Sequence, residues 1–246
     1  MLGLPELHSR RAPGNTCLAS LRGGRAGSVG EKLNSSKGCG GVMRAAPVGL
    51  AWPRDPGAAF EQGCESAALT HGHRSGFLSA GFLAATISGI VAGRELGEAI
   101  GVARGLLVAR SAHRECLGAV DGAVRLAREG AEVHEAIGQL GEGWVGEEAL
   151  AIALFCALTA EDFADGVIKA VNHSGDSDST GAIAGNLLGA LLGEGAIPAR
   201  WLERLELRGA IGAVAGDLYR HFGNSDVATL SALERDEADW ERYPGW

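Results

Sequence analysis

The chain has 246 residues, a net charge of −8 and only 5% aromatic residues. That length can bury a substantial core and fits a single domain. The acidic balance argues against direct nucleic-acid binding, which calls for a basic surface. Glycine is abundant at 39 residues, proline is scarce at 7, and no stretch sustains β-branched alternation. This composition favours an all-α protein with small residues where helices touch.

Residues 1–41 differ from the rest. They carry Arg10, Arg11, Arg22, Arg25, Lys32 and Lys37 among glycines, with few apolar positions in register, the pattern of a loop-rich segment. From Val42 to residue 235 the pattern is that of a helical core, and 236–246 reads as a charged, aromatic tail. Asp55-Pro56 is a helix start, a cap followed by proline in the first turn, and predicts a helix to about Thr70. Further helices are expected near 75–92, 95–110, 112–129, 147–159, 161–172, 180–193, 199–206 and 209–221. Ser75 to Gly93 is uncharged and nearly of membrane length, but three serines, a threonine and four glycines mark a buried core helix. No membrane association is expected. Cys17, Cys39, Cys64, Cys116 and Cys156 include no C-x-x-C pair. They read as reduced thiols of a cytoplasmic protein, and the N-terminus has no basic-then-apolar leader pattern.

The densest polar run is His173-Ser174-Gly175-Asp176-Ser177-Asp178-Ser179-Thr180. In a turning backbone, positions i and i+2 face one side, so Asp176 and Asp178 converge with Thr180 behind them. Two carboxylates that close need a cation or a shared proton, and oxygen donors favour Mg²⁺, Ca²⁺ or Mn²⁺. An EF-hand is rejected because Leu187 stands where the bidentate glutamate belongs. Gly181, Gly185, Gly189 and Gly193 then form one ridge, which predicts a neighbouring helix packed backbone to backbone. Ser35 to Arg44 places three glycines beside serines and two cations. It fits an anion-binding loop and a flexible connector equally well, and it is not a P-loop. Thr70-His71-Gly72-His73 offers two histidines without a third metal partner, which favours surface-turn histidines. Glu147 and Glu148, in a first helical turn, complement the helix dipole.

Together these segments resemble the ADP-ribosylglycohydrolase family, which includes the nitrogenase-reductase-activating glycohydrolases. The resemblance covers roughly residues 10–207. It rests on Arg11-Ala12-Pro13-Gly14-Asn15-Thr16, Lys37-Gly38-Cys39-Gly40-Gly41-Val42-Met43-Arg44-Ala45-Ala46-Pro47 and Thr70-His71-Gly72-His73, then Glu147-Glu148-Ala149-Leu150, Gly175 to Thr180, and Ile197-Pro198. It implies an all-α orthogonal multi-helix bundle, a two-magnesium site in which Mn²⁺ can substitute, and hydrolysis of ADP-ribosyl glycosidic linkages on a protein side chain or small acceptor. By that resemblance Asp176, Asp178 and Thr180 are metal ligands. Ser36, Lys37, Gly38 and Gly40 lie in the loop that cradles the diphosphate, with His71 nearby. Cys39 replaces an asparagine common in that loop. The family's Gly-Asp-x-x-Gly helix and Thr-Asp-Asp-Thr run do not occur, so the chain is expected to lack the family's N-terminal part and its general base. The resemblance therefore implies either a magnesium-dependent hydrolase, inactive in this form if half its metal site is wanting, or a catalytically dead ADP-ribose- or nucleotide-binding remnant.

Overall fold

In a computed structural model the described residues are 12–223, so the predicted 236–246 tail lies outside them. The described residues form twelve α-helices and no strand; a single bridge pairs Gly38 with Val145. The segment read as loop-rich carries one helix, α1 (Asn15–Arg22), before an irregular run of turns and bends to a 3₁₀ turn at Val42–Arg44. Then come α2 (Ala46–Ala51) and α3 (Pro56–Ala68). As its sequence predicts, α3 is capped by the Asp55 side chain, which accepts from the Ala58 N–H at 2.9 Å.

The core is organised around α4 (Arg74–Val91), the uncharged segment. It is long and apolar enough to cross a membrane, yet 89% of it is buried inside the protein. It packs against α2, α3, α5 (Leu96–Val108) and α8 (Gly146–Leu158). Two of its buried hydroxyls are satisfied by the helix's own backbone. Ser79 donates to the Ser75 carbonyl at 2.7 Å and Thr86 to the Phe82 carbonyl at 2.9 Å, so burial leaves no orphan donor there. Glycines also bring α3 and α4 into close approach. A Cβ on Gly81 would lie 2.6 Å from the Phe60 carbonyl oxygen, and one on Gly63 would lie 2.9 Å from that of Ala80.

Helix α6 (Arg114–Glu129) buries the stripe Cys116, Val120, Ala123 and Leu126 against α8 and ends at left-handed Gly130. A short helix α7 (Val133–Leu140), absent from the sequence expectation, is capped by Glu132. Helices α9 (Phe163–Val171) and α10 (Ser177–Leu192) pack as neighbours. Here the prediction of backbone-to-backbone packing is corrected. Gly181, Gly185 and Gly189 meet the side chains of Val171, Val167 and Phe163, one α9 ridge with the same spacing of four, while Gly193 lies beyond the helix at φ +77°. The glycines form a groove for that ridge. Helices α11 (Ala199–Glu203) and α12 (Arg208–Leu218) complete the described chain, with a π turn to Gly223.

Candidate functional site

Three chain segments meet at one place: the glycine loop 36–41, the loop 141–146 before α8, and the turn 173–180 leading into α10. Main-chain bonds join them. Gly146 N–H donates to the Lys37 carbonyl at 2.8 Å, Cys39 N–H to Trp144 at 3.1 Å, and Asp176 N–H to Glu142 at 2.8 Å. Gly175 must be glycine, because a Cβ would lie 1.9 Å from the Glu142 carbonyl oxygen. The middle loop is held in turn by Glu148, whose Oε2 accepts the N–H groups of Glu142 and Gly143 at 3.1 and 3.2 Å. Its neighbour Glu147 is buried and serves a different partner.

Helix α10 starts at Ser177, three residues earlier than expected, with Asp176 at its N-cap. Asp176 is buried and Asp178 is exposed. Their carboxyl groups share a hydrogen bond, which together with burial pushes Asp178 above the ordinary carboxylate range. The Cys39 thiol donates to Asp176 Oδ2 at 2.8 Å and lies 3.3 Å from Ser179 Oγ. Burial and the adjacent carboxylate push that thiol up to about 12, so it stays protonated. Thr180 is fully buried; its hydroxyl donates to the Ala170 carbonyl at 2.6 Å and meets His173 Nε2 at 2.9 Å. The Thr180 hydroxyl reaches Asp176 only at the Asp176 main-chain carbonyl, at 3.2 Å, whereas the Ser179 hydroxyl shares the Cys39 thiol with the Asp176 carboxylate. Sequence reading passed over Ser179 because it placed the whole run in a turn ahead of the helix. In a helix begun at Ser177, residue 179 lies about one turn from the cap and shares its face.

Among the described residues, no three His, Cys, Asp or Glu side chains are gathered for a metal ion. The oxygen donors of Asp176, Asp178 and Ser179 nonetheless suit one arm of a hard-cation site, with the remaining ligands from water or substrate.

Lys37 is placed otherwise than in an open phosphate cradle. Its ammonium donates to Glu115 Oε1 at 2.6 Å and to buried Glu147, while Ser75 donates to Glu115. Both carboxylates hold the ammonium above its usual range. Lys37 and Ser75 hold Glu115 below its own, whereas burial raises Glu147 against the pull of Lys37. One cation between two carboxylates leaves no positive charge over for an anion. Ser36 Oγ lies 3.0 Å from Thr16 Oγ1 and accepts from the Gly38 N–H at 3.3 Å. The Gly40 carbonyl accepts from Arg44 at 3.2 Å.

His71 is buried, against the surface-turn reading, and burial beside Arg44 pushes it down to about 4. Its ring faces the glycine loop: a Cβ on Gly38 or Gly40 would lie 3.5 or 3.4 Å from Nε2. His73 instead caps α4, accepting from the Ser75 N–H at 3.2 Å.

A sequence model of the ADP-ribosylglycohydrolase family matches residues 4–227. The chain belongs to that family. This ADP-ribosylglycohydrolase-family chain is 44% identical over 48 residues to an ADP-ribosyl-[dinitrogen reductase] glycohydrolase of Rhodospirillum rubrum, covering 20% of the chain and 16% of that protein. It is 33% identical over 72 residues to the ADP-ribosylarginine hydrolase Tri1 of Pseudomonas putida, covering 29% and 19%. An uncharacterized Archaeoglobus fulgidus protein is 38% identical over 89 residues, covering 36% and 28%. The matched stretches thus span less than a third of these relatives. A solved structure described as an ADP-ribosylglycohydrolase-related protein complex superposes with a TM-score of 0.64 at 30% identity. That match covers 84% of the chain and 69% of the solved one, and the all-α fold is shared.

Proposed function

We propose that this chain binds the ADP-ribosyl group and takes part in metal-dependent hydrolysis of its glycosidic linkage. The observation that carries this reading is the convergence of the glycine loop, His71 and the Asp176–Ser179 turn in a chain of this family. Asp176, Asp178 and Ser179 would hold one side of a Mg²⁺ or Mn²⁺ ion. When bound, such an ion supplies a Lewis acid for substrate hydroxyls and water. The loop Ser36–Gly40 would receive the diphosphate on its backbone, with His71 at its edge and Lys37 as internal support. Trp144, 56% exposed on the middle loop, offers a flat apolar face to a ring of the nucleotide. The reaction separates the anomeric carbon from its acceptor through an oxocarbenium-like state. The name of one relative, the ADP-ribosylarginine hydrolase, makes ADP-ribosylated arginine the first acceptor to assay.

The test combines release of ADP-ribose from ADP-ribosylated arginine with calorimetric titration of ADP-ribose, each with and without Mg²⁺. Turnover in the wild type that disappears in Asp176→Ala supports the hydrolase. Unchanged turnover in that variant overturns it. Binding without turnover in the wild type favours the second reading, a non-catalytic ADP-ribose binder; the Asp176 carboxylate, already engaged by the Cys39 thiol at 2.8 Å, motivates it.

A further inference from the structure

Behind the glycine loop, two side chains without a task so far, Arg44 and Thr70, lead to His71. Arg44, following the loop in the 3₁₀ turn, donates to the Gly40 carbonyl at 3.2 Å and to the Ser66 carbonyl at 2.8 Å. It also donates to Thr70 Oγ1 at 2.8 Å. Thr70 Oγ1 in turn lies 2.8 Å from His71 Nδ1. Both Thr70 and His71 are buried, at 7% and 2% exposure. A guanidinium has only donors, so Thr70 Oγ1 accepts from Arg44. The hydroxyl has one proton of its own, and the acceptor beside it is Nδ1. If Nδ1 carried the ring proton instead, the hydroxyl would accept twice and its own proton would face a buried site without a use. The arrangement satisfies both Thr70 Oγ1 and Nδ1 only when Nδ1 is bare, which puts the ring proton on Nε2. That nitrogen is the one turned toward Gly38 and Gly40.

We propose that Thr70 and Arg44 are positioning residues that lock His71 as the neutral Nε2–H tautomer, so that the loop mouth presents a fixed hydrogen-bond donor to an incoming phosphate oxygen. The proposal rests on the ADP-ribosyl reading for its ligand, but the lock itself does not. Arg44 ties the two ends of the device together, because the same guanidinium grips the loop carbonyl and sets the hydroxyl.

The test is two-bond ¹H–¹⁵N correlation spectroscopy of the full ¹⁵N-labelled chain at pH 7. The His71 signals are assigned by their loss in His71→Gln. The lock predicts an unprotonated Nδ1 and a protonated Nε2 in the wild type and in Thr70→Ser. In Thr70→Val, which keeps the volume but removes the hydroxyl, it predicts a mixed tautomer. ADP-ribose affinity, by calorimetry, should fall about tenfold in Thr70→Val and be retained in Thr70→Ser, the loss of one donor to a charged group. A wild-type His71 protonated on Nδ1 overturns the proposal, as does a Thr70→Val protein with unchanged tautomer and affinity. If Thr70→Val does not fold, the wild-type and Thr70→Ser spectra decide alone. A locked wild-type tautomer with no ADP-ribose binding leaves the lock standing and sinks the reading of the ligand.

Discussion

Replacing Lys37 with methionine removes the ammonium from between Glu115 and Glu147 while keeping an apolar stem of similar reach. The side-chain exposures are 33% for Lys37, 47% for Glu115 and 6% for Glu147. Breaking a fully buried pair costs about 3–5 kcal/mol, while an exposed pair is worth about 1 kcal/mol or less. This cluster spans both regimes, with Glu147 at the buried end. The expected loss at pH 7 is therefore about 2–3 kcal/mol, or a melting point lower by about 4–12 °C for a chain of this size. The pH dependence follows from the orphaned carboxylate. Burial raises the Glu147 pKa, and without Lys37 only a backbone hydrogen bond opposes it. A carboxyl whose folded pKa exceeds its unfolded value is fully accommodated below that unfolded value and loses stability as pH rises through the folded one. The variant should thus approach wild-type stability near the ordinary glutamate value of 4.5 and fall away toward pH 7. Thermal melts by circular dichroism at several pH values measure this, and Lys37→Met with Glu147→Gln should recover most of the loss. A penalty that shrinks on going to neutral pH, or a melting point within about 1 °C of wild type at pH 7, would refute the assignment.

The glycine groove makes opposite predictions at neighbouring sites. Gly185→Ala and Gly189→Ala find ordinary contact at 4.0 Å and should each gain up to about 1 kcal/mol from helix propensity. Gly181→Ala meets the stiff Val171 side chain at 2.4 Å and should lose about 1–3 kcal/mol; a melting point above wild type for Gly181→Ala contradicts the groove. Alkylation with iodoacetamide at pH 8, mapped by peptide mass spectrometry, should modify the part-exposed Cys17 well before Cys39, whose thiol is buried and pushed up to about 12. Equal rates at the two thiols would mean that Cys39 is not held against Asp176.

Much of the fold was legible because its signals are local. Asp55-Pro56 marked the start of α3, and the uncharged run from Ser75 marked the core helix. The helix α7 was passed over because eight residues flanked by Glu132 and Gly141 make a weak periodic signal amid charges. The site was legible as a set of motifs and much less so as an arrangement. Lys37 finds its partners 78 and 110 residues away, a distance no local spacing conveys. Asp176 was singled out as a site candidate, but the run was read as a turn ahead of a helix beginning near residue 180. That obscured Ser179, whose place follows only once the helix is known to begin at Ser177. Thr70 and Arg44 stood within recognised motifs, yet their connection to His71 depends on how the 3₁₀ turn folds back onto the end of α3.

The Cys39–Asp176 contact joins residues 137 positions apart. Pairings of such separation close large loops and form late in folding, while the α9–α10 pair next to it is local and needs no such closure. A chain can therefore hold nearly all of its helices and still have no binding site. Ligand affinity, unlike helical content, reports whether the first and last thirds of this molecule have found each other.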